Sequence, residues 1–236
     1  MYDAKYFVWL GENSELDHGL MLINREADTP EEKEILEDLP YDQGVSDQSS
    51  PFGVTNFKMR KYAYTMVYVY NNMADAERKR REVVNWLKRS GRNTLLDSTE
   101  RDFRITGKFT KVDYDIKAKH GVIEFYLEFT AMPLMVGVKE EGHKWFDDLI
   151  LAHDVIQRVN FTVNGVKNIK LKNKSVNMII PNFVVTGNIT IKTDSLILHV
   201  NQDVVRSDLF ALLPGMNYIE LSGNGTIKFV WHKELL

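Results

Sequence analysis

The sequence of 236 residues contains no cysteine. Disulfide bonds, thiolate metal sites and cysteine nucleophiles are therefore excluded, and noncovalent contacts alone must hold the fold together. Long apolar runs are missing as well, since the stretch 130–138 falls short of the roughly 20 apolar residues of a membrane-spanning helix and is broken by Pro133 and Gly137. Residues 1–10 do not form the apolar core of a signal peptide. We therefore expect no membrane contact and no secretory route.

The chain also lacks a large excess of either basic or acidic residues. The chain has 30 Lys and Arg against 33 Asp and Glu, so it lacks the basic excess that favours nucleic-acid binding. Hydrophobic residues make up 44% of the chain, which is typical of globular proteins and excludes wholesale disorder. A length of 236 residues leaves room for one large or two modest domains.

Signatures of catalysis are missing too. The sequence has no glycine-rich phosphate-binding loop, no serine nucleophile elbow and no metal-spaced pair of histidines. His143 with Asp147, and His153 with Asp154, fall in a region that could be helical, but two such ligands do not specify a metal site. We predict no catalytic, cofactor-binding or metal-binding residues, no cofactor and no enzymatic activity. The six histidines stand singly, as His18, His120, His143, His153, His199 and His232.

The N-terminal region contains two short apolar segments followed by an acidic segment. Residues 6–10 and 19–23 flank turn residues and predict a β-hairpin. Residues 26–47 then carry a local charge of about −8, and Pro30 allows at most one short helix in this segment. We expect a mobile acidic loop that splays outward from any closed assembly unless it meets a basic partner. The basic residue of segment 26–47 is Lys33, and its acidic residues are Glu26, Asp28, Glu31, Glu32, Glu34, Glu37, Asp38, Asp42 and Asp47.

A strand and a helix follow the acidic segment. Period-two alternation over residues 62–70 places four tyrosines and Met66 on one face and smaller residues on the other, so both faces are predicted to be covered. Packing in the core or at a subunit interface is favoured over the stacking of sugars or bases. Residues 74–90 are predicted to form a helix, with Asn72 as its N-cap and a left-handed Gly91 at its end.

The predicted helix carries a basic cluster at residues 78–81, between Glu77 and Glu82. Local ion pairs with these flanking acids favour a solvated helix face over a targeting or phosphate-binding site.

Residues 111–117 and 123–129 alternate with period two and predict a half-exposed antiparallel hairpin. Asp113 and Asp115 lie on its outward face among lysines, so we assign them to a solvated charge stripe without a chemical role.

A change in composition at residues 132–142 indicates a domain boundary. Short strands with turns about every 8 to 12 residues follow, and this spacing is typical of an all-β sandwich. The order of elements predicts an α+β domain at residues 1–135 and an all-β domain at residues 136–236. Three of the turn signals in the second domain are Asn164-Gly165, Gly187-Asn188 and Ser222-Gly223-Asn224-Gly225.

An ordered set of short motifs spans nearly the whole chain and resembles the distal tail (Dit) proteins of siphophages, a phage tail family. The most telling motif is Leu-x-Pro-Gly-x-Asn-x-Ile at residues 212–219. The others are Asp17-His18-Gly19-Leu20, Asn85-Trp86-Leu87-Lys88, Asn93-Thr94-Leu95-Leu96-Asp97, Glu100-Arg101-Asp102-Phe103-Arg104, the stretch 125–133 and Ile180-Pro181-Asn182-Phe183.

This resemblance implies a ring-forming N-terminal domain, a split β-barrel with one packed helix, followed by a galectin-like β-sandwich. It implies a structural virion protein of the tail tip, assembled in the host cytoplasm. Its copies would close into a ring, a hexamer in this family, that joins the tail tube to the baseplate and leaves a channel for DNA. The implied partners are further copies, the tail tube, a tail-associated lysin or tip protein and a receptor-binding protein. Our candidates for the ring interface are the strand 62–70 and the helix 74–90.

The alternative function is that of a saccharide-binding module that recognises the host cell wall through the C-terminal domain. Galectins bind sugar with a His-x-Asn-x-Arg strand and a Trp-Gly-x-Glu stretch. Here His199 and Asn201 match only the start of the first motif, and Trp231 is followed by His232 instead of glycine. We therefore predict that the sugar site is absent, that Trp231 fills the core, and that this domain is a docking surface outside the ring.

Overall fold

The computed structural model describes residues 5–38, 45–49, 54–142 and 154–236. Its contacts divide the chain into two compact units, one of residues up to Met135 together with Leu236, and the other Val136–Leu235. The described residues are mostly β, with one α-helix, which lies in the first unit. None of the helical segments in these ranges has the length and apolar character needed to cross a membrane.

The first unit is built on an antiparallel sheet. Its strands in chain order are β1 Phe7–Trp9, β2 Glu12–Asn13, β3 Met21–Ala27, β4 Leu36–Asp38, β5 Val45–Asp47, β6 Arg60–Val69, β7 Arg92–Asp97, β8 Phe103–Lys117 and β9 Val122–Ala131. Seven of them lie side by side in the order β2-β1-β7-β8-β9-β6-β3, while β4 and β5 form a separate pair. Strand β3 therefore lies at one edge of this row of strands.

Helix α1, Met73–Lys88, connects β6 to β7 and confirms the predicted helix to within two residues at each end. The Asn72 side chain accepts a hydrogen bond of 3.0 Å from the backbone of Asp75 and caps the helix as predicted. The predicted left-handed end at Gly91 is wrong. The helix ends instead at Arg89 in right-handed conformation, because β7 begins only three residues later.

The sheet buries one face under α1. On β6, Tyr62, Tyr64 and Met66 are at most 1% exposed, whereas the neighbouring Ala63 and Thr65 are only half-buried. The prediction that both faces of this strand are covered is therefore wrong for a single copy. The helix covers only the face it packs against, and on the opposite face Val67 is buried whereas Val69 is 58% exposed, so the described residues cover that face only in part.

The predicted hairpin at 111–129 is confirmed as the pair β8 and β9, which a short 3₁₀ turn connects. The inward alternation holds on β9, where Phe125 and Leu127 are buried. It fails on the end of β8, where Tyr114 is 45% exposed. A register shift between Phe109 and Lys111 separates the buried part of β8 from this exposed end.

The predicted N-terminal hairpin is only partly correct. Strand β1 turns at Leu10 and Gly11, both of positive φ, and pairs with the two-residue β2. The second apolar segment does not pair with β1. It leads into β3, which pairs with β6 at the edge of the row of strands.

The acidic segment contains no helix among its described residues. Antiparallel backbone pairing holds it instead, because Lys33 donates to Asn56 O at 2.8 Å and Lys58 donates to Glu31 O at 2.8 Å. An isolated bridge joins Glu32 to Phe57 between these two bonds. The expectation of at most one short helix is met, and the backbone groups near Pro30 pair with a neighbouring segment instead of forming a helix. Residues 39–44 lie outside the described part of the chain.

The second unit contains a four-stranded antiparallel sheet. The strands from the end of the first unit onward are β10 Met135–Gly137, β11 Asn160–Asn173, β12 Asn182–Lys192, β13 Ile197–Val200, β14 Gly215–Val230 and β15 Glu234–Leu235. The sheet has the order β11-β14-β12-β13. Strands β11, β12 and β14 are unusually long, with 14, 11 and 16 residues.

A line of Asn-Gly pairs crosses the three long strands. Asn224 of β14 pairs with Asn164 of β11 on one side and with Asn188 of β12 on the other. The predicted turns at Asn164-Gly165, Gly187-Asn188 and Ser222-Gly223-Asn224-Gly225 are therefore wrong, because the ladders continue through them. The glycines bend the strands without ending them.

The bend lets both halves of each long strand face one core. On β14, Ile219 and Leu221 precede the glycines, Ile227 and Phe229 follow them, and all four belong to a single buried cluster. The cluster also contains Trp231, which is 3% exposed, so its predicted place in the core is confirmed. The sheet thus covers its own apolar face by folding at the glycine line.

We predict that Gly225→Ala unfolds the second unit. Gly225 has φ of +149°, and a methyl group there would collide with the carbonyl oxygen of Thr186 on the adjacent strand. Strain and clash together should reduce the free energy of unfolding by about 3 kcal/mol or more, as measured by urea denaturation. The control is Gly91→Ala, where nothing lies within 4 Å, and it should change stability by less than about 0.5 kcal/mol. Equal stabilities of the two variants would contradict the role of the bend.

Candidate assembly surfaces

His18 fastens the N-terminal loop to helix α1. Its Nδ1 lies 3.0 Å from Glu82 Oε1 and its Nε2 lies 2.9 Å from Glu12 Oε2. The imidazole ring stacks on Trp86 with 3.8 Å between centroids. Because carboxylate oxygens only accept hydrogen bonds, both contacts are satisfied when the imidazole carries two protons. His18 therefore links Glu12 of the N-terminal loop to Glu82 of helix α1.

The contacts of His18 belong to a chain of alternating charges. Glu12 also pairs with Arg89 at 2.7 Å, and Glu82 also pairs with Lys79 at 2.8 Å. Burial opposes ionisation of Glu82, but hydrogen bonds from Lys79 and His18 keep its pKa below the usual value. Each acid contacts His18 and one further basic side chain, so this cluster positions the helix and offers no free group for chemistry.

A second buried cluster surrounds Asp97, whose side chain is fully buried. Arg25 Nε donates to it at 2.6 Å, the Tyr64 hydroxyl at 2.8 Å and the backbone of Thr99 at 2.8 Å. Burial and the Asp97 charge raise the pKa of Tyr64 well above its usual value, and burial raises the pKa of Tyr62 to about 12. Both phenols therefore stay protonated near neutral pH.

The Arg25–Asp97 contact also shows that the sheet is curved. Arg25 lies on β3 and Asp97 on β7, four places apart in the row of strands. At about 4.8 Å per strand a flat sheet would hold them roughly 19 Å apart, which is beyond the reach of an arginine side chain. The strands must therefore curl around the buried face until β3 approaches β7.

The outer face of the sheet carries charged pairs. Lys61 pairs with Glu128 at 2.7 Å, and Lys111 pairs with Asp113 at 2.5 Å. Asp115 is exposed on the same hairpin. The prediction of a solvated charge stripe agrees with these positions.

The basic residues of α1 form ion pairs mostly with acidic residues of the same helix. Arg78 pairs with Asp75 at 2.5 Å and Arg80 with Glu77 at 2.9 Å, three residues apart in each case. The predicted local ion pairs are confirmed. The pKa of Asp75 is lowered, first by a hydrogen bond from the backbone of Asn71 and then by Arg78.

The second unit presents an apolar surface. Leu209, Leu213 and Met216 are 50% to 74% exposed and border a groove of about 360 Å³. Tyr218, 65% exposed, separates this groove from a polar one of about 590 Å³, and the ammonium group of Lys170 lies 5.2 Å from its ring centroid. Exposed apolar side chains in such number are typical of a surface that contacts another protein.

The galectin-like fragment of the sequence does not form a converging site. His199 lies on β13 with its Nδ1 2.9 Å from the hydroxyl of Thr190. Asn201 uses its side-chain oxygen to accept from the backbone of Asp203 at 2.9 Å. Trp231 is in the core and is not available as a stacking platform.

No three His, Asp or Glu side chains form a metal-binding group within the described ranges. Of the two pairs weighed from the sequence, His143, Asp147 and His153 lie outside these ranges. Asp154 is buried and forms an ion pair with Lys233.

Comparison with known proteins gives a strong similarity to a solved structure. No protein-family model matches the sequence, and no curated protein matches it. The crystal structure of the SPP1 Dit (gp 19.1) protein, described as a paradigm of hub adsorption apparatus in phages that infect Gram-positive bacteria, superposes with a TM-score of 0.67. The match covers 98% of this chain and 99% of that chain at 12% sequence identity. The chain has the fold of the SPP1 Dit protein.

A second similarity is much weaker. The phage P2 baseplate in its activated conformation with Ca matches with a TM-score of 0.36 and 8% identity, over 96% of this chain and 97% of that chain. A similarity of this size does not establish a common fold.

Placing the motifs on the Dit fold explains several of them. His18 of the Asp17-His18-Gly19-Leu20 motif and Trp86 of the helix motif stack on each other. Asp97 ends the strand motif that precedes Glu100, and Arg25 contacts both acids. The sequence alone assigns these residues no role, because the pairs His18–Glu82, Arg25–Asp97 and Trp86–Trp9 are separated by 64 to 77 positions in the chain.

We predict that Asp97→Asn destabilises the first unit. The change removes the closer of the two acids that pair with Arg25 and weakens the hydrogen bond that the buried Tyr64 hydroxyl donates. The free energy of unfolding should fall by about 3 kcal/mol in urea denaturation. The matched control, Asp113→Asn, removes an exposed pair with Lys111 and should cost less than about 0.5 kcal/mol. A similar small effect at both positions would contradict the role of Asp97.

Proposed function

We propose that this protein is a structural hub of a phage tail tip, where it connects the tail tube to the baseplate and host-recognition proteins. The observation that carries the proposal is the match to the SPP1 Dit fold over 98% of the chain. The buried clusters around His18 and Asp97 support it as well, since their polar groups hold elements together and leave no free nucleophile or base. We propose no enzymatic role.

In this proposal the copies close into a ring of six, as the family resemblance implies, and the ring leaves a channel for DNA. Residues 1–135 form the ring as a split β-barrel with one packed helix. The curl that brings Arg25 to Asp97 supports the barrel, and the uncovered outer face of the sheet supports contacts between copies. Residues 136–236 form a galectin-like β-sandwich, which the fold at the glycine line supports.

The second unit then serves as a docking surface for other tail proteins. Leu209, Leu213 and Met216 supply the exposed apolar side chains that such a surface needs. The partners proposed are a tail-associated lysin or tip protein and a receptor-binding protein, in a virion assembled in the host cytoplasm.

We predict that the purified protein forms a closed oligomer. Size-exclusion chromatography with light scattering should give a mass close to six times 27.4 kDa. A fragment of residues 1–135 should keep this oligomeric state, and a fragment of residues 136–236 should be a monomer at the same concentration. A monomeric full-length protein would contradict the ring, and a ring formed by the second fragment alone would contradict the domain assignment.

A saccharide-binding module remains the alternative, and exposed Tyr218 beside Lys170 is the observation that favours it. We predict no galactoside binding, because His199 and Asn201 are engaged in local hydrogen bonds and Trp231 is buried. Calorimetric titration with galactosides and with host wall polysaccharide should show no heat of binding. Micromolar binding that disappears in the Tyr218→Ala variant, or in a His199→Ala, Asn201→Ala variant, would support the alternative.

A further inference from the structure

Two oppositely charged surfaces of the first unit lack ion-pair partners. The first, the basic surface, consists of Arg92, Arg104 and Lys108, all exposed on the outer face of β7 and β8. Arg92 lies directly opposite Lys108 in the ladder, and none of the three forms an ion pair with any residue of the described ranges. The basic side chains therefore reinforce one another's positive potential instead of being neutralised.

The basic surface also has an apolar and hydroxyl-bearing centre. Thr94 pairs with Thr106 next to the Arg92–Lys108 pair, and Leu96, 39% exposed, follows on the same face. A small uncharged patch ringed by cations has the composition of a protein contact, where the rim is charged and the centre is less polar.

The second surface, the acidic edge, consists of Asp28, Glu32, Glu34 and Glu37, which follow edge strand β3. All four are exposed, and none forms an ion pair within the described ranges. Backbone pairing with the segment 56–58 fixes Glu32 and its neighbours in an extended conformation. The acids are therefore presented as an ordered row.

We propose that the acidic edge of one copy docks on the basic surface of a second copy of the same chain. This inference rests on the proposed ring and names its interface. A ring requires a heterologous contact in which two different patches of the chain meet, and these two patches are different and of opposite charge. Within one copy neither surface forms an ion pair among the described residues, so docking between copies brings opposite charges to both surfaces at once.

The docking would also cover the exposed apolar residues of β3. Met21 and Ile23 on this strand are 48% and 61% exposed, and β3 pairs only with β6 in the described sheet. An exposed edge strand with apolar side chains needs cover. A second copy seated along the acidic edge would supply that cover and would bring Leu96 toward these apolar residues.

Charge reversal tests the proposal in the full-length protein. An acidic-edge variant carries Asp28→Lys, Glu32→Lys and Glu34→Lys, and a basic-surface variant carries Arg92→Glu, Arg104→Glu and Lys108→Glu. Each variant alone places like charges opposite each other and should weaken association at least about 100-fold, as measured by analytical ultracentrifugation. The variant that combines all six changes should assemble again, because opposite charges face each other in exchanged positions.

A matched control reverses three exposed acids of the second unit, as Asp194→Lys, Asp203→Lys and Asp208→Lys. It should assemble like the unchanged protein, and circular dichroism should show that every variant is folded. Loss of assembly in the control would overturn the proposed pairing. Failure of the variant with all six substitutions to assemble would overturn it as well.

The absence of cysteine allows a direct check by cross-linking. Mixed under mild oxidation, a Glu32→Cys protein and an Arg104→Cys protein should form a disulfide-linked heterodimer much faster than either protein forms a homodimer. An oligomer that assembles but neither responds to charge reversal nor cross-links would overturn this interface and leave the ring standing. A protein that is monomeric at all concentrations would overturn both.

Discussion

The one-sided burial of the first sheet is the constraint on which the rest of this structure depends. Helix α1 covers only the inner face, where Tyr62, Tyr64 and Met66 are buried. Two polar clusters fix that arrangement, since His18 ties the N-terminal loop to the helix and Asp97 ties the edge strand to the far side of the curl. The outer face and the edge carry charged side chains, and several of these form no ion pair within the part of the chain that the structure describes.

The second unit buries the apolar face of its sheet in a different way. Its sheet has no described helix to cover it, so the long strands bend at the Asn-Gly line and bury their own apolar face. The two units therefore expose surfaces of different character. The first offers charged surfaces suited to contacts between identical copies, and the second offers an exposed apolar surface suited to other proteins.

The sequence was sufficient for elements whose signals are local. The cap at Asn72, the ion pairs of residues 77–80 and the alternation of β9 all follow from neighbouring residues, and the resemblance to Dit proteins indicated the fold that the SPP1 structure shows. It was insufficient where the decisive contact is distant. Asn-Gly pairs usually mark turns, and only their alignment across three strands shows that they bend a continuous sheet. The backbone pairing of the acidic segment with residues 56–58 likewise has no local signal in the sequence.

The central claim, that copies of this chain close into a ring, is tested most directly by electron microscopy of the purified protein in negative stain. The account predicts class averages of closed rings of uniform size with a central opening and repeated subunits around it. A homogeneous population of single copies, or open filaments without closure, would contradict it.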